Sequence, residues 1–103
     1  QAIFGFGLSS ITLAPTAVTN IVSSAGIVAS DTTGVGTTRF RLAATNFGVN
    51  GQAIFGYGNN ASNLAAANNQ SMTNIVSNAG VVASDTTGVG TARNGLAATS
   101  YGI

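Results

Sequence analysis

Very few residues of this chain could do chemistry. Two aspartates and three arginines carry all of its side-chain charge, and cysteine and histidine are absent. Both aspartates stand in a phrase that occurs twice, SDTTGVGT, at Ser30–Thr37 and again at Ser84–Thr91. An arginine follows each phrase closely, Arg39 after the first and Arg93 after the second. An acidic residue, threonine hydroxyls and two glycines are compatible with a phosphate loop, a metal loop or the end of a strand.

The catalytic and ligand-binding alternatives each lack a residue that they need. A P-loop ends in Gly-Lys followed by Ser or Thr, and the chain contains no lysine. Calcium loops use several oxygen ligands at close spacing, whereas Asp31 and Asp85 each stand alone in their loop. Hydroxyl nucleophiles need a base such as histidine or lysine, and both are absent. We therefore predict no enzyme activity, no cofactor and no metal site, and we expect each aspartate to cap its own turn.

The low charge also limits the possible partners. The formal net charge is +1 and charged residues make up 5% of the chain, compared with about a quarter in average globular domains. This leaves no basic surface for nucleic acid. Polar residues interrupt every apolar run well before the length of about 20 residues that a membrane-spanning helix needs. We expect no nucleic-acid binding and no membrane insertion. A chain with so few charges to keep it dispersed suits an assembly, and it favours an extracellular or virion location.

The chain is an internal duplication, which is the first property to establish for a sequence of this kind. QAIFGFG at Gln1–Gly7 returns as QAIFGYG at Gln52–Gly58, and Thr19–Val49 returns as Thr73–Ile103 with few changes. The residues between these blocks differ in length and composition, LSSITLAPTAV in the first copy and NNASNLAAANNQSM in the second. We therefore expect a common framework and a variable surface loop in each copy.

The framework carries the signals of short strands and turns. Val, Ile, Thr, Phe and Tyr fill its segments, and glycine marks their ends. Asn50-Gly51 lies between LAATNFGV and QAIFGYG, which predicts a hairpin with a two-residue turn. A second hairpin is predicted around Ser24–Gly26 and its copy Asn78–Gly80. With about four short strands per copy, we predict an all-β fold of two tandem four-stranded antiparallel repeats, residues 1–51 and 52–103.

The layout of each repeat resembles the kelch motif, a propeller-blade-type unit. In both, a strand ends in a pair of glycines, a variable loop and two strands follow, and an arginine comes after the last strand. The residues that match are Gly5 and Gly7 or Gly56 and Gly58 for the glycine pair, and Arg39 or Arg93 for the arginine. The chain differs from the usual kelch pattern in having no adjacent glycine pair and no tryptophan.

The longer phrase AIFGYG…TNIVSNAGVVASDTTGVGTAR…LAA…YG is similar to tandem kelch-like repeats of predicted fibre proteins from aquatic viruses and environmental microbes. This resemblance covers both repeats. It implies a structural role on a surface or virion, and it brings no catalytic residues with it.

Two predicted strands lack a hairpin partner within the chain. Gln1–Gly7 and Leu96–Ile103 match the two strands that Asn50-Gly51 joins. Because unpaired strand edges tend to pair with other strands, we expect the repeats to be completed by strand exchange between copies of the chain, in a closed ring or an open head-to-tail filament, or by neighbouring repeats of a longer array. The residues expected in these assembly strands are Gln1, Ile3, Phe4, Phe6, Leu96, Tyr101 and Ile103. Those expected to form polar pairs between repeats are Asp31, Arg39, Asp85 and Arg93.

These observations predict a non-enzymatic structural repeat protein, a subunit or segment of an extracellular or virion filament, tail-fibre-like, assembled with itself through β-strand pairing. The alternative is a carbohydrate-binding lectin formed as an oligomeric β-propeller, with glycans as its partners. In that case Phe6, Phe47, Tyr57 and Tyr101 could stack on sugars or could simply pack in the core. The second loop contains two sequons for N-glycosylation, at Asn60 and Asn69.

Overall fold

A computed structural model describes residues 1–102 of the chain. These residues form five short strands and one short 3₁₀ helix: β1 (Ala2–Gly5), β2 (Thr19–Val22), β3 (Ala43–Phe47), β4 (Gln52–Gly56), the helix Ala66–Asn68, and β5 (Thr73–Val76). β1 and β2 form a two-stranded antiparallel sheet, and β3, β4 and β5 form a three-stranded antiparallel sheet in that order. The fold is mostly strand with almost no helix, which agrees with the all-β prediction.

The two repeats pair their central strands in the same register. Ile3 of β1 stands opposite Ile21 of β2, and Ile54 of β4 stands opposite Ile75 of β5. A slip of one residue would turn every side chain of a strand to the other face of its sheet. Since the two copies carry the same residues at these positions, the duplicated sequence specifies the same pairing twice.

The segment after β2 was predicted to be a further strand, but it meets β2 only at isolated bridges. These bridges join Val22 to Val28 and Thr19 to Thr32. Between them the segment has one residue more than β2, and a bulge of this kind interrupts a ladder of hydrogen bonds. The second repeat is interrupted at the equivalent positions. The named sheets therefore contain two and three strands, and the predicted four-stranded units are not seen among them.

The hairpin predicted at Asn50-Gly51 is present between β3 and β4, but its loop is longer than expected. Phe47 is the last residue of β3 and pairs with Gln52, so residues 48–51 form a four-residue loop. A two-residue type I′ turn needs positive φ at both central residues. Here the positive values belong to Gly48 (68°) and Gly51 (71°), and Asn50 has none. The prediction of a two-residue turn was wrong because a second glycine opens the loop earlier.

Strand β3 crosses from one repeat to the other. Its residues belong to the first repeat of the sequence, yet all five pair with β4 of the second repeat. A strand of the first repeat therefore extends the sheet of the second. β1 corresponds to β4 in the first repeat, and it pairs only with β2.

The core lies between the two sheets. Phe55, Val76 and Val82 of the second repeat form its buried cluster. Ile3 and Phe6 of the first repeat pack against that cluster, and the rings of Phe6 and Phe55 lie 5.1 Å apart, tilted by 55°. Because so few large apolar residues are buried, the contact between the repeats supplies much of the hydrophobic stabilisation of the chain.

Candidate functional site

Arg39 is the central side chain of the contact between the repeats. It has no exposed surface, although arginine is rarely buried completely. Its guanidinium donates hydrogen bonds to four acceptors: the carbonyl oxygens of Thr37 (3.1 Å), Met72 (2.9 Å) and Tyr57 (3.4 Å), and Oδ1 of Asn74. Three of these acceptors belong to the second repeat. Arg39 therefore ties the first repeat to the backbone and to one buried side chain of the second.

The guanidinium of Arg39 also packs on the ring of Phe6, which belongs to the first repeat. The Cζ atom of Arg39 lies 4.8 Å from the centroid of this ring, within the range of a cation–π interaction. Phe6 has a φ of 63°, in the left-handed region that bulky residues rarely adopt. Tyr57 has the same backbone conformation, with a φ of 65°, and its ring lies 4.5 Å below the Cζ atom of Arg93. Both repeats thus use an unfavourable backbone conformation to place an aromatic ring under an arginine.

Asn74 connects Arg39 to Asp85. Its side chain has no exposed surface, and its Oδ1 atom accepts a hydrogen bond from Arg39. Its Nδ2 atom donates to Oδ1 of Asp85 (2.8 Å) and to the carbonyl oxygen of Ala83 (3.2 Å). Ala83 lies in the segment where the bulge interrupts the ladder, so the amide of Asn74 replaces a missing backbone donor. This explains a polar residue in the middle of an apolar strand, because buried polar groups need hydrogen-bond partners.

Asp85 binds the end of the first SDTTGVGT phrase. Its carboxylate accepts hydrogen bonds from the backbone N–H of Thr37 (3.1 and 3.2 Å) and from the Thr37 hydroxyl (2.6 Å). Gly36, with a φ of 88°, lies so close that a Cβ atom there would be 2.5 Å from Oδ1 of Asp85 and 2.7 Å from Nδ2 of Asn74. The prediction that each aspartate caps its own turn is therefore wrong: Asp85 caps the turn of the other repeat, and Asp31 accepts a hydrogen bond from Asn20 in β2.

The electrostatics of the site favour a charged aspartate. Burial alone would raise the pKa of Asp85, but hydrogen bonds from Thr37 and Asn74 and the positive charge of Arg39 hold that pKa below its ordinary value. Burial lowers the pKa of Arg39, and the negative charge of Asp85 opposes this shift. Because arginine stays protonated in proteins, the contact holds a negative and a positive group linked through Asn74.

The asparagine–aspartate pair and the threonine–arginine pair of this contact each have a copy in the other repeat, on its outer surface. In the first repeat, Nδ2 of Asn20 donates to Oδ1 of Asp31 (2.8 Å) and to the carbonyl oxygen of Ala29 (3.2 Å). In the second repeat, Arg93 donates to the carbonyl oxygen of Thr91 (2.9 Å). We call Asn20 and Asp31 the acceptor half-site, and Thr91 and Arg93 the donor half-site. Within residues 1–102, no hydrogen bond joins these two half-sites.

The structure brings together some of the predicted polar residues and separates others. Arg39 and Asp85 are joined through Asn74 at the contact between the repeats, whereas no hydrogen bond joins Asp31 and Arg93 within residues 1–102. Both of the latter are exposed.

The predicted assembly strands also have different outcomes. Ile3 and Phe4 lie in β1, with Gln1 and Phe6 beside it, and Phe4 is 64% exposed. Leu96 and Tyr101 lie in a segment that forms no strand. That segment corresponds to β3, but no neighbouring strand pairs with it here, so its backbone groups have no ladder to join. Ile103 lies outside the described residues.

The two sequons lie in different surroundings. Asn60 is exposed, whereas Asn69 is half-buried. The Oδ1 atom of Asn69 accepts hydrogen bonds from Asn59 (2.9 Å) and Asn94 (2.7 Å). Asn59 has no exposed surface and anchors the variable loop. Of the two positions, Asn60 presents the more accessible amide.

Sequence reasoning missed Thr37, Asn74 and Asn20. A signal was available for the two asparagines, because TNIV places an asparagine inside an apolar strand at the same position in both repeats. A repeated polar residue in such a strand indicates a buried hydrogen-bonded network. Thr37 offered no comparable signal, since threonine is common at strand ends.

Comparison with protein-family models, curated proteins and solved structures finds no match for this chain. In the described part of the chain, no helix is long and apolar enough to cross a membrane. Residues 1–102 also contain no group of three or more potential metal-ligating side chains. The arrangement at the contact is one of hydrogen bonding and packing between two copies of the same unit.

Proposed function

We propose that the chain is a non-enzymatic structural repeat protein, a subunit or segment of an extracellular or virion fibre that assembles through β-strand pairing. The observation that carries this proposal is the pairing of β3 with β4. All five residues of β3 belong to the first repeat and extend the sheet of the second. Addition of a strand to an exposed sheet edge is a general way for protein chains to associate.

The duplication indicates how the same pairing could join two copies of the chain. Residues 97–101 correspond to β3, and β1 corresponds to β4. In the register of β3 and β4, Ala98 of one copy would stand opposite Phe4 of the next, and Thr99 opposite Ile3. Because each copy would give one strand and receive another, the contact is head-to-tail and can continue without limit.

This pairing would also complete the predicted kelch-like blade. The first repeat would then contain the received strand, β1, β2 and the bridged segment at residues 28–32, which is four strand-like segments in one layer. The finer fold, two four-stranded propeller-blade-type repeats completed by strand exchange, is thus part of this proposal.

The use of the charged residues supports a non-enzymatic role. Arg39 and Asp85 form hydrogen bonds across the contact between the repeats. Asp31 binds Asn20 in the same way that Asp85 binds Asn74. Both aspartates are therefore engaged in hydrogen bonds within the protein.

Negative-stain electron microscopy combined with light scattering over a range of concentrations tests the proposal. We expect filaments whose mass increases with concentration. Closed rings of a few chains, or a chain that stays monomeric up to millimolar concentration, would contradict a fibre.

A lectin is a second candidate, and one observation favours it. A groove of about 520 Å³ lies between the repeats, with amide side chains at Gln1, Asn46, Gln52 and Asn78 and apolar groups at Phe55 and Val76. Pockets of ~300–1,000 Å³ with a few polar groups are typical of small-ligand sites. A glycan array tests this candidate, with Asn78→Ser as the variant, since the first repeat has Ser24 at the equivalent position. No bound glycan, or binding that Asn78→Ser leaves unchanged, would argue against a lectin site in this groove.

A further inference from the structure

We propose that the donor half-site of one copy, Thr91 and Arg93, docks on the acceptor half-site of a second copy, Asn20 and Asp31, and so repeats between chains the contact that joins the two repeats within one chain. This inference rests on the proposed assembly of the chain with itself. It adds the polar contact that selects the partner surface and sets the direction of assembly.

The internal contact provides the template for this junction. Thr37 and Arg39 of the first repeat bind Asn74 and Asp85 of the second. The duplication makes Thr91 and Arg93 the copies of the first pair, and Asn20 and Asp31 the copies of the second pair.

The acceptor half-site and the ring beneath Arg93 already have the geometry of the internal contact. The distances from Asn20 to Asp31 (2.8 Å) and to Ala29 (3.2 Å) equal those from Asn74 to Asp85 and to Ala83. Arg93 lies over Tyr57 at 4.5 Å, as Arg39 lies over Phe6 at 4.8 Å. Groups that are ordered before binding lose less conformational entropy when they bind.

The exposed surfaces also match the internal contact residue by residue. Phe55 is 5% exposed in the second repeat, whereas its copy Phe4 is 64% exposed; Val82 is 8% exposed, whereas its copy Val28 is 53% exposed. These two buried residues thus have exposed copies on the first repeat. Within the chain, the first repeat covers this face of the second repeat. The exposed copy of the face, on the first repeat, should therefore fit the second repeat of another copy of the chain.

A steric detail supports the same docking. Inside the chain, Cδ1 of Ile21 lies 2.7 Å from where a Cβ atom of Gly80 would be. The copy of that glycine, Gly26, has nothing within 4 Å, and the copy of the isoleucine, Ile75, is 39% exposed. Docking in the proposed direction would place Ile75 of one copy over Gly26 of the next.

The charges favour a head-to-tail contact over a symmetric one. The donor half-site carries Arg93 and the acceptor half-site carries Asp31, so unlike charges meet only when the two different surfaces face each other. A two-fold contact formed by one half-site alone would place Arg93 against Arg93 or Asp31 against Asp31, which is repulsive.

The test uses two charge reversals on the outer surfaces, Asp31→Arg and Arg93→Asp. Neither changes a residue of the internal contact, so both variants should keep the fold, as circular dichroism will check. Each variant alone has one blocked surface, and we expect sedimentation velocity to show the monomer where the wild-type chain forms larger species. In an equimolar mixture, Arg93 of the Asp31→Arg chain can still dock on Asp31 of the Arg93→Asp chain. We therefore expect the mixture to associate where neither variant does alone, since the two reversed charges also attract each other.

The control is Arg41→Asp, which makes the same charge change as Arg93→Asp at another exposed arginine, and it should assemble as the wild type does. If either charge-reversal variant alone assembles at a protein concentration within about threefold of the one that the wild type needs, the docking is overturned. A fibre built by strand pairing would survive that result. If the wild-type chain forms closed rings that both variants abolish, the docking stands and the fibre is overturned. A wild-type chain that never associates overturns both.

Discussion

Thr37 and Asp85 are 48 positions apart in the sequence, yet the Thr37 hydroxyl donates a 2.6 Å hydrogen bond to the Asp85 carboxylate. Thr37 is the last residue of the first SDTTGVGT phrase, and Asp85 is the second residue of the other copy. The end of one phrase therefore binds the beginning of the next. The repeated phrase thus serves as a contact between the two repeats.

We expect Asp85→Asn to destabilise the monomeric chain by about 1 kcal/mol, because the new amide removes the charge that accepts hydrogen bonds from Thr37 and Asn74, and because water screens part of that charge at this exposed residue. Urea denaturation at a concentration where the chain is monomeric measures the change in the free energy of unfolding. Asp31→Asn is the matched control, since both aspartates are exposed but Asp31 accepts its hydrogen bond from Asn20 and not from a threonine. Equal losses of stability in the two variants would show that the contact with Thr37 contributes nothing.

Arg39→Ala should have a larger effect, about 3 kcal/mol or more, because Oδ1 of Asn74 and the carbonyl oxygen of Met72 would lose a buried donor. A small domain has little stability to lose, so this variant is expected to be largely unfolded by circular dichroism. Arg93→Ala, at the exposed copy of the same position, should stay within about 1 kcal/mol of the wild type. A stable, folded Arg39→Ala chain would contradict the assigned role.

The pKa of Asp85 gives the pH dependence of stability. Because the folded state holds this pKa below its ordinary value, the stabilisation is fully present above the ordinary aspartate pKa of about 3.9. It is then lost as the pH falls through the lower pKa of the folded state. We expect the free energy of unfolding to decrease below about pH 4, and this decrease to be smaller in Asp85→Asn. Asp31→Asn, which keeps Asp85, should retain the Asp85 part of the acid dependence. If the free energy of unfolding of Asp85→Asn decreases at acid pH as much as that of the wild type, Asp85 is not the source of the pH dependence.

Gly36→Ala should cost more than a similar change at another glycine. Both Gly36 and Gly26 have positive φ, 88° and 79°, but only Gly36 faces atoms of the other repeat where a Cβ would be placed. Gly26→Ala should cost about 1–2 kcal/mol for the left-handed backbone alone. Gly36→Ala adds a clash with Asp85 and Asn74, so its loss of stability in urea should exceed that of Gly26→Ala by at least about 1 kcal/mol. Equal losses would indicate that the close approach of the two repeats is unimportant.

Much of the fold followed from local sequence signals. The strands β1, β2, β3, β4 and β5 all lie within segments that the apolar and β-branched residues predicted. The hairpin between β3 and β4 was expected from Asn50-Gly51, although Gly48 lengthened its loop. The further strand after β2 failed as a strand because of one extra residue between two bridges. Such a bulge depends on how two segments meet, and composition does not reveal it.

The candidate site was only partly predictable. Arg39 and Asp85 stood out because charged residues are rare in this chain, but their connection through Asn74 did not. An asparagine in a strand could as well face solvent, and only the stacking of the second repeat on the first encloses it.

The sequence by itself determined that the chain is two copies of one all-β unit with variable loops, because repetition and strand periodicity are local properties of the chain. The tertiary structure decided which copy each residue binds. Identical phrases can bind within a repeat or between repeats, and local sequence does not distinguish the two. The crossing of β3 to β4 and the packing of Phe6 against Phe55 bring the two repeats together, and this gives Thr37 and Arg39 their partners in the second repeat while Thr91 and Arg93 remain exposed.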